Sequence, residues 1–313
     1  MRRVRFHAYG GPEVLRVEEA EPPVAGPGEL LVRTEAIGVT LPCVRRTHGD
    51  GNGGGDPLPA VPGGEIAGTV VAVGPEVTGF AVGDRVTSLT FKGSYAELAL
   101  APAFLADRIP DDASAVEAVA LVRSGQVALA ALSTAAPRDG ESVLITGAAS
   151  ATGHLAVQLA KLQGVPRVVA AVSSAAKAEF LYGLGADEVV TYDQDSWGEP
   201  ADIVLDGVGG ELLPRALAAV TEGGRLIFFN SGGGTVPAYE LLAGSKTVTG
   251  LTMRRFTTVH RERYEQHRAQ LWELAGAGRL RAAVHAELPL EEATKAHEII
   301  EARANLGKVV LRP

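Results

Sequence analysis

The segment from Val143 to Lys161 decides the fold; it reads VLITGAASATGHLAVQLAK. Its first four residues predict a buried strand, small residues then form a turn, and the remainder has the amphipathic spacing of a helix. A strand, a small-residue turn and a helix in this order predict a dinucleotide-binding unit. The predicted contacts to the pyrophosphate are Gly147, Ala148, Ala149, Ser150, Ala151, Thr152 and Gly153.

Small residues in this turn let the backbone approach a pyrophosphate, and the amides and dipole of the following helix favour its negative charge. Ser150 and Ala151 stand where glycines are usual in such loops. A plain turn of small residues, without a bound phosphate, is the alternative interpretation.

The end of the second strand indicates which nicotinamide cofactor fits. An Asp or Glu there, about 20 residues after the loop, would bind the adenosine ribose hydroxyls and repel a 2′-phosphate. This chain instead carries Ser173, Ser174 and Lys177, which supply hydroxyl groups and a cation suited to phosphate. We therefore predict NADP(H) rather than NAD(H). In the alternative interpretation the serines cap a helix and Lys177 is a solvated helix residue.

The sequence around this segment predicts an α/β protein with two domains. Downstream, apolar strand candidates recur between helical segments up to Val248–Leu251, which is typical of a doubly wound parallel sheet. Residues 1 to about 110 show short alternating strands between Gly and Pro turns, which predict an antiparallel, barrel-like domain. A second helical stretch covers 264–275, and the final strand at 305–311 is expected to return to the first domain. The Gly-rich stretch 50–57 is predicted to be either a solvated connector or a mobile substrate-gating loop.

Composition excludes several classes of protein. The 313 residues contain 37 Asp and Glu against 29 Lys and Arg, so no general positive field exists to bind nucleic acid. The only cysteine, Cys43, excludes an intramolecular disulfide and a multi-thiolate zinc site. Every apolar run is interrupted before the length of a membrane span, and the N-terminus lacks the pattern of a secretory signal. We expect no membrane partner and a cytoplasmic location.

Several short motifs resemble the medium-chain dehydrogenase/reductase superfamily, in its zinc-independent quinone oxidoreductase and enoyl reductase branch. The resemblance covers nearly the whole chain. It is carried by Gly10–Leu15, Pro27–Val32, Gly64–Val70, Val82–Val86, the dinucleotide loop, Leu184–Asp187, Asp206–Gly210 and Gly307–Leu311.

The resemblance implies a GroES-like β-barrel catalytic domain and a Rossmann domain with a doubly wound parallel sheet, with the active-site cleft between them. The implied boundaries are 1–120 with 262–313 for the catalytic domain and 121–261 for the NADP(H)-binding domain. By the same resemblance Tyr192 flanks the adenosine phosphate. Asn230 and Ser231, and Asn305 with Lys308, are implied near the nicotinamide half of the cofactor.

Zinc-dependent members of the superfamily bind metal through a cysteine, a His-Glu pair and a further cysteine or acid. Here Thr40 takes the place of the first cysteine, and Gly64 takes the place of the histidine before Glu65. Cys43, His48 and Glu65 offer only an improvised ligand set, and nothing in their spacing requires a metal. We predict that the protein binds no metal.

The substrate wall also departs from the family. Thr40 and Cys43 replace the Asn and Asp of an Asn-x-x-Asp element, and Val127 replaces a threonine. We take Thr40, Arg45, Arg123 and Gln126 as candidate donors to oxygen charge that develops on the substrate. Each has an ordinary alternative, since arginines often lie on solvated surfaces and Thr40 can simply belong to a strand.

The predicted reaction is hydride transfer from NADPH to a small-molecule quinone or α,β-unsaturated carbonyl compound. One alternative is a pathway-specific enoyl reductase of polyketide-type biosynthesis, and another is a non-catalytic NADPH-binding protein. A short-chain reductase is disfavoured because its Tyr-x-x-x-Lys pair does not occur. The strand at 247–252 would leave an apolar sheet edge bare, which predicts a homodimer.

Overall fold

A computed structural model of the chain describes residues 1–50, 57–90, 93–230 and 232–313. The first part contains strands β1 (Arg2–Arg5), β2 (Arg16–Glu19), β3 (Glu29–Val39), β4 (Glu65–Val73), β5 (Arg85–Leu89), β6 (Leu98–Pro102) and β7 (Ala106–Arg108), with helices α1 (Leu41–Thr47) and α2 (Ala115–Ala135).

The middle of the chain alternates strands and helices. These are β8 (Val143–Thr146), α3 (Gly153–Leu162), β9 (Val168–Val172), α4 (Ala178–Tyr182), β10 (Glu188–Thr191), β11 (Ala201–Asp206), α5 (Leu213–Ala218), β12 (Val220–Phe228), α6 (Ala238–Ala243), β13 (Thr247–Gly250), α7 (Met253–Val259) and α8 (Arg261–Gly276). The last part contains β14 (Val284–Pro289), α9 (Ala293–Glu301) and β15 (Lys308–Arg312).

The chain divides into two compact units. Unit 1 comprises Met1–Arg123 and Val284–Pro313, and unit 2 comprises Ser124–Ala283. Unit 2 thus ends after Ala283, not after 261 as the sequence analysis expects, and α8 belongs to it. The physical reason is packing within unit 2: the Gln126 amide donates to the Tyr264 carbonyl, and a methyl group at Gly125 would lie 2.5 Å from the Leu271 side chain.

Unit 1 is built on a seven-stranded sheet. Its strand order is β14-β15-β3-β4-β5-β7, and β6 pairs with β3 beside this path. The pairs are antiparallel except β14 with β15, which are parallel. A separate antiparallel ladder joins β1 and β2. The apolar residues that alternate along these strands form one core, with Phe6 and Tyr95 among its largest buried side chains.

Unit 2 contains a six-stranded sheet in the order β10-β9-β8-β11-β12-β13, in which every pair is parallel. All residues of β8 and β9 are buried, as the continuous apolar runs predict for a sheet covered on both faces. The order of the strands reverses at β8, so the carboxyl ends of β8 and β11 meet at the topological switch point, where open α/β sheets bind ligands. The predicted division into a mainly antiparallel β domain and a doubly wound parallel-sheet domain is confirmed.

Three further features bear on the predictions made from the sequence. Strand β14, which pairs in parallel with β15, is not among the strands predicted from the sequence. Helix α2 is long and apolar enough to cross a membrane, but most of it is buried, as in the core helix of a globular protein. The Gly-rich stretch 50–57, predicted to be a connector or gate, lies largely outside the described residues, because 51–56 are not among them.

We predict that Gly68→Ala strongly destabilises unit 1. A methyl group at Gly68 would lie 2.0 Å from the Arg33 carbonyl oxygen, across the β3–β4 pair. Two backbone segments would have to separate, and we expect the free energy of unfolding to fall by about 3 kcal/mol or more. Gly276→Ala is the matched control, because nothing lies within 4 Å of the added methyl group. Urea unfolding measures both variants, and equal loss in the two would contradict the prediction.

Candidate cofactor and substrate sites

Two glycines shape the turn after β8. Gly147 has φ +62°, a conformation that favours glycine. A methyl group at Gly153 would lie 2.2 Å from the Gly147 carbonyl oxygen and 2.6 Å from the Ala148 Cα. Only glycine therefore allows the start of α3 to pack this closely on the end of β8.

Ser150 organises the rest of this turn. Its amide donates to the Gly147 carbonyl at 2.9 Å, and its Oγ accepts from the Gly153 amide at 3.1 Å. Neither Ser150 nor Ala151 adopts a positive φ, so neither position needs glycine. Ala148 and Ala149 are buried, whereas Ser150 is exposed and Ala151 and Thr152 are half-buried. The replacement of the usual glycines therefore leaves a compact turn at the N-terminus of a ten-residue helix.

Tyr192 lies beneath the same turn. Its hydroxyl accepts from the Gly147 amide at 2.7 Å and donates to the Ala171 carbonyl at 3.1 Å. The side chain thus joins the ends of β9 and β8. Tyr192 beside the adenosine phosphate stays a prediction, and in the structure its hydroxyl holds the first residue of the turn.

The end of β9 presents the side chains predicted for a 2′-phosphate. Ser173 and Ser174 are exposed and Lys177 is half-buried. The Ser174 Oγ also accepts from the Ala176 amide at 3.3 Å, so the capping interpretation holds for this serine. Capping uses lone pairs of the oxygen and leaves its hydroxyl hydrogen for another acceptor.

A buried carboxylate that the sequence analysis does not select organises the switch point. Asp206 is fully buried and accepts from the Thr146 hydroxyl at 2.6 Å, from the Gly209 amide at 3.1 Å and from the Asn230 amide at 3.0 Å. Asn230 Oδ1 accepts in turn from the Gly232 amide at 2.6 Å. The signal for this network is the segment Asp206–Gly210, which the family resemblance includes only as a motif. Ser231, predicted near the nicotinamide, lies outside the described residues.

Asn305 and Lys308, predicted near the nicotinamide, belong to unit 1. The Asn305 amide donates to the Gly307 carbonyl at 2.7 Å. Lys308 is fully buried and its ammonium group pairs with the Glu65 carboxylate. Burial acts to lower the pKa of Lys308, whereas the adjacent Glu65 carboxylate favours the charged form. Gly38 makes room for this pair, since a methyl group there would lie 2.5 Å from the Glu65 Cγ.

The Thr40 hydroxyl is hydrogen-bonded to the Cys43 thiol. The Cys43 thiol, which is buried, donates its single hydrogen to the Gly63 carbonyl. The Thr40 hydroxyl oxygen lies 3.1 Å from the same sulfur, so Thr40 donates its own hydrogen to Cys43. The Thr40 hydroxyl then offers lone pairs to any further partner. Donation from Thr40 to a substrate would require this hydrogen to turn away from Cys43, and the donor role stays a prediction.

Gln126 is another donor candidate, and its role also stays a prediction. Only 1% of it is exposed, and its amide nitrogen donates to the Tyr264 carbonyl at 3.1 Å. It lies in unit 2, whereas Thr40, Arg45 and Arg123 lie in unit 1. Arg45 and Arg123 are both half-buried, and their role as donors stays a prediction.

The residues at the zinc-ligand positions do not fit a metal. The Glu65 carboxylate already pairs with the Lys308 ammonium group, and the Cys43 sulfur is hydrogen-bonded to Thr40 and Gly63. Within the described part of the chain, no group of three or more His, Cys, Asp or Glu side chains has the arrangement of a metal site.

Comparison with known proteins covers the whole chain. Residues 26–111 match the model of the alcohol dehydrogenase GroES-like domain, and residues 184–311 match the model of the zinc-binding dehydrogenase family. The quinone oxidoreductase of Pseudomonas aeruginosa is 33% identical over 100% of this chain and 99% of its own length. The 2-haloacrylate reductase of a Burkholderia species is 30% identical over 98% of each chain.

A solved structure of a mycobacterial protein complexed with NADPH is 35% identical and superimposes with a TM-score of 0.92 over 100% of both chains. Sequence and structure thus agree over the full length, in both the GroES-like and the Rossmann unit. The oxidoreductase class predicted from the sequence is confirmed. The chain belongs to the quinone oxidoreductase family of the medium-chain dehydrogenases/reductases.

Proposed function

We propose that this protein is an NADPH-dependent oxidoreductase that reduces a quinone or an α,β-unsaturated carbonyl compound without a metal ion. One observation carries the proposal: the glycine-shaped turn after β8 stands beside a β9 end that has two serines and a lysine but no acid. A pyrophosphate site and a 2′-phosphate site are thereby combined in one unit. The quinone oxidoreductase name of a relative and the NADPH in a similar structure support the same function.

The chain's own residues account for cofactor binding. The turn from Gly147 to Gly153 and the N-terminus of α3 would hold the pyrophosphate, and Ser173, Ser174 and Lys177 would hold the 2′-phosphate. Asn230, fixed by Asp206, would face the nicotinamide half from the end of β12. When bound, NADPH would supply the hydride that the substrate accepts.

The polar groups of unit 1 would orient the substrate. Thr40 would accept a hydrogen bond, and the Arg45 and Arg123 guanidinium groups would stabilise oxygen charge. The Lys308–Glu65 pair supports metal-free chemistry, since a lysine cation already neutralises the carboxylate next to Gly64. Proton supply to the product is assigned to solvent.

A carbon–carbon double-bond substrate is the second candidate, including that of a pathway-specific enoyl reductase of polyketide-type biosynthesis. The observation in its favour is the altered pair Thr40 and Cys43, which replaces the amide and carboxylate expected of the quinone reductase pattern. The 2-haloacrylate reductase among the relatives also bears a name that indicates reduction of a double bond.

A panel assay tests the function. We expect the protein to oxidise NADPH in preference to NADH with quinones or α,β-unsaturated ketones, and a chelator to leave the rate unchanged. The better acceptor class decides between the two substrate candidates. Loss of activity with the chelator would contradict the metal-free proposal. NADPH binding without turnover of any acceptor would instead favour a non-catalytic NADPH-binding protein.

We predict that Lys177→Ala removes much of the preference for NADPH. The variant loses a cation near the proposed 2′-phosphate site, so the KM for NADPH should rise about tenfold while the KM for NADH stays unchanged. Lys295→Ala is the control, because Lys295 is an exposed lysine of unit 1 that pairs with Glu292. An equal change in the KM values for NADPH and NADH would show that Lys177 does not recognise the 2′-phosphate.

We also propose a homodimer and a cytoplasmic location. Strand β13 is the last strand of its sheet, and β12 is its partner on one side. Helix α6, which precedes β13, exposes Tyr239 and Leu242 by 77% and 76%. An open sheet edge next to exposed apolar side chains favours association with a second copy. The single buried cysteine suits a reducing compartment.

We predict that Thr247→Lys produces monomers. Lysine on an edge strand opposes strand pairing, because its charge would have to be buried between the two copies. Light scattering should give twice the chain mass for the wild type and the chain mass for the variant. Thr258→Lys, at another exposed threonine of unit 2, should stay dimeric. A monomeric wild type at micromolar concentration would overturn the dimer proposal.

A further inference from the structure

His154 makes hydrogen bonds with both ring nitrogens inside unit 2. The ring is fully buried near the N-terminus of α3, one residue after Gly153. Its Nδ1 lies 2.8 Å from the Ser150 carbonyl oxygen, and its Nε2 lies 3.0 Å from the Ala283 amide nitrogen. Ser150 organises the dinucleotide turn, whereas Ala283 is the last residue of unit 2 before β14.

These partners determine the form of the ring. A carbonyl oxygen can only accept, so Nδ1 carries the hydrogen, and a backbone amide can only donate, so Nε2 carries the lone pair. The imidazole is therefore neutral. Burial favours the same form, since it lowers the pKa of His154 to about 4.

Gln158 extends this connection one turn further along α3. Its amide nitrogen donates to the Arg281 carbonyl at 3.0 Å, and its Oε1 accepts from the Arg281 amide at 2.9 Å. Two side chains of α3 thus hold the backbone of the segment Arg281–Ala283 with three hydrogen bonds. Of the two, only His154 also bonds to the dinucleotide turn by its side chain.

A purely structural buried histidine has a different environment in the same unit. His267 is also buried and its ring stacks on Phe256 with 5.7 Å between centroids. Among the described residues its Nδ1 has no hydrogen-bond partner. Packing alone therefore accounts for His267, whereas His154 connects two separate backbone segments through specific atoms.

We propose that His154 is a positioning residue that couples the occupancy of the dinucleotide turn to the order of the segment Arg281–Ala283. The inference rests on the proposed binding of NADPH at this turn. A phosphate that orders the turn fixes the Ser150 carbonyl, and hence the ring and the Ala283 amide. By reciprocity, an ordered segment favours the turn conformation that binds the phosphate.

Hydrogen exchange of the wild-type protein gives the first test. We expect saturating NADPH to slow exchange of the amides in Arg281–Ala283 by about tenfold, because opening of this segment would then have to release the ordered turn. Exchange of the backbone amides of β4 in unit 1, which is distant in sequence from this segment, serves as the reference. Unchanged exchange at Ala283 despite bound NADPH would overturn the proposal, and this measurement requires no variant.

Substitutions then separate coupling from packing. His154→Phe keeps a ring but removes both nitrogens, so we expect NADPH to bind about tenfold more weakly and NADPH-dependent protection at Ala283 to disappear. His154→Asn places an amide donor near the Ser150 carbonyl but is too short to reach Ala283. It should recover affinity without recovering the protection. His267→Gln is the control and should change neither quantity.

Calorimetry of NADPH binding distinguishes the two possible failures. If the wild type does not bind NADPH, the proposed function fails and this inference fails with it. If NADPH binds and the His154→Phe variant retains both the affinity and the protection at Ala283, the proposed function stands and only the coupling role of His154 is overturned.

Discussion

The buried carboxylate of Asp206 is the constraint on which the cofactor edge of unit 2 depends. A charge without exposure to water must be surrounded by donors, and Thr146, Gly209 and Asn230 supply them. These donors come from the ends of β8 and β12 and from the turn after β11 itself. Satisfying one carboxylate therefore fixes the loops of three adjacent parallel strands at the point where the strand order reverses.

The dinucleotide turn shows how a loop can keep its shape without its usual glycines. Glycine is retained at the two positions where geometry requires it, a positive φ at Gly147 and a close backbone approach at Gly153. Where φ is negative, as at Ser150, a side chain is tolerated and contributes a hydrogen bond of its own. The glycines of the family pattern thus answer separate geometric requirements. This chain keeps glycine at the positions where its backbone conformation requires it.

Local pattern predicted much of this architecture and part of the site. The strands β8 and β10 end where their apolar runs end, and the serines after β9 lie at the expected sheet edge. Local pattern could not show the contacts between residues that are distant in sequence. The Gln126 amide donates to the Tyr264 carbonyl, which is 138 residues away. The same contact packs α8 within unit 2. The direction of the Thr40 hydroxyl hydrogen depends on Cys43, because the Cys43 thiol donates its own hydrogen to the Gly63 carbonyl.

The same reasoning explains the Glu65 position in unit 1. A carboxylate beside Gly64 is buried, and a buried carboxylate requires a cation or several donors. The zinc-dependent members of the superfamily, which carry a His-Glu pair here, can meet that need with metal. In this chain Lys308, brought beside β4 by the pairing of β15 with β3, supplies the positive charge. Removing either partner would therefore leave an unpaired buried charge and destabilise unit 1.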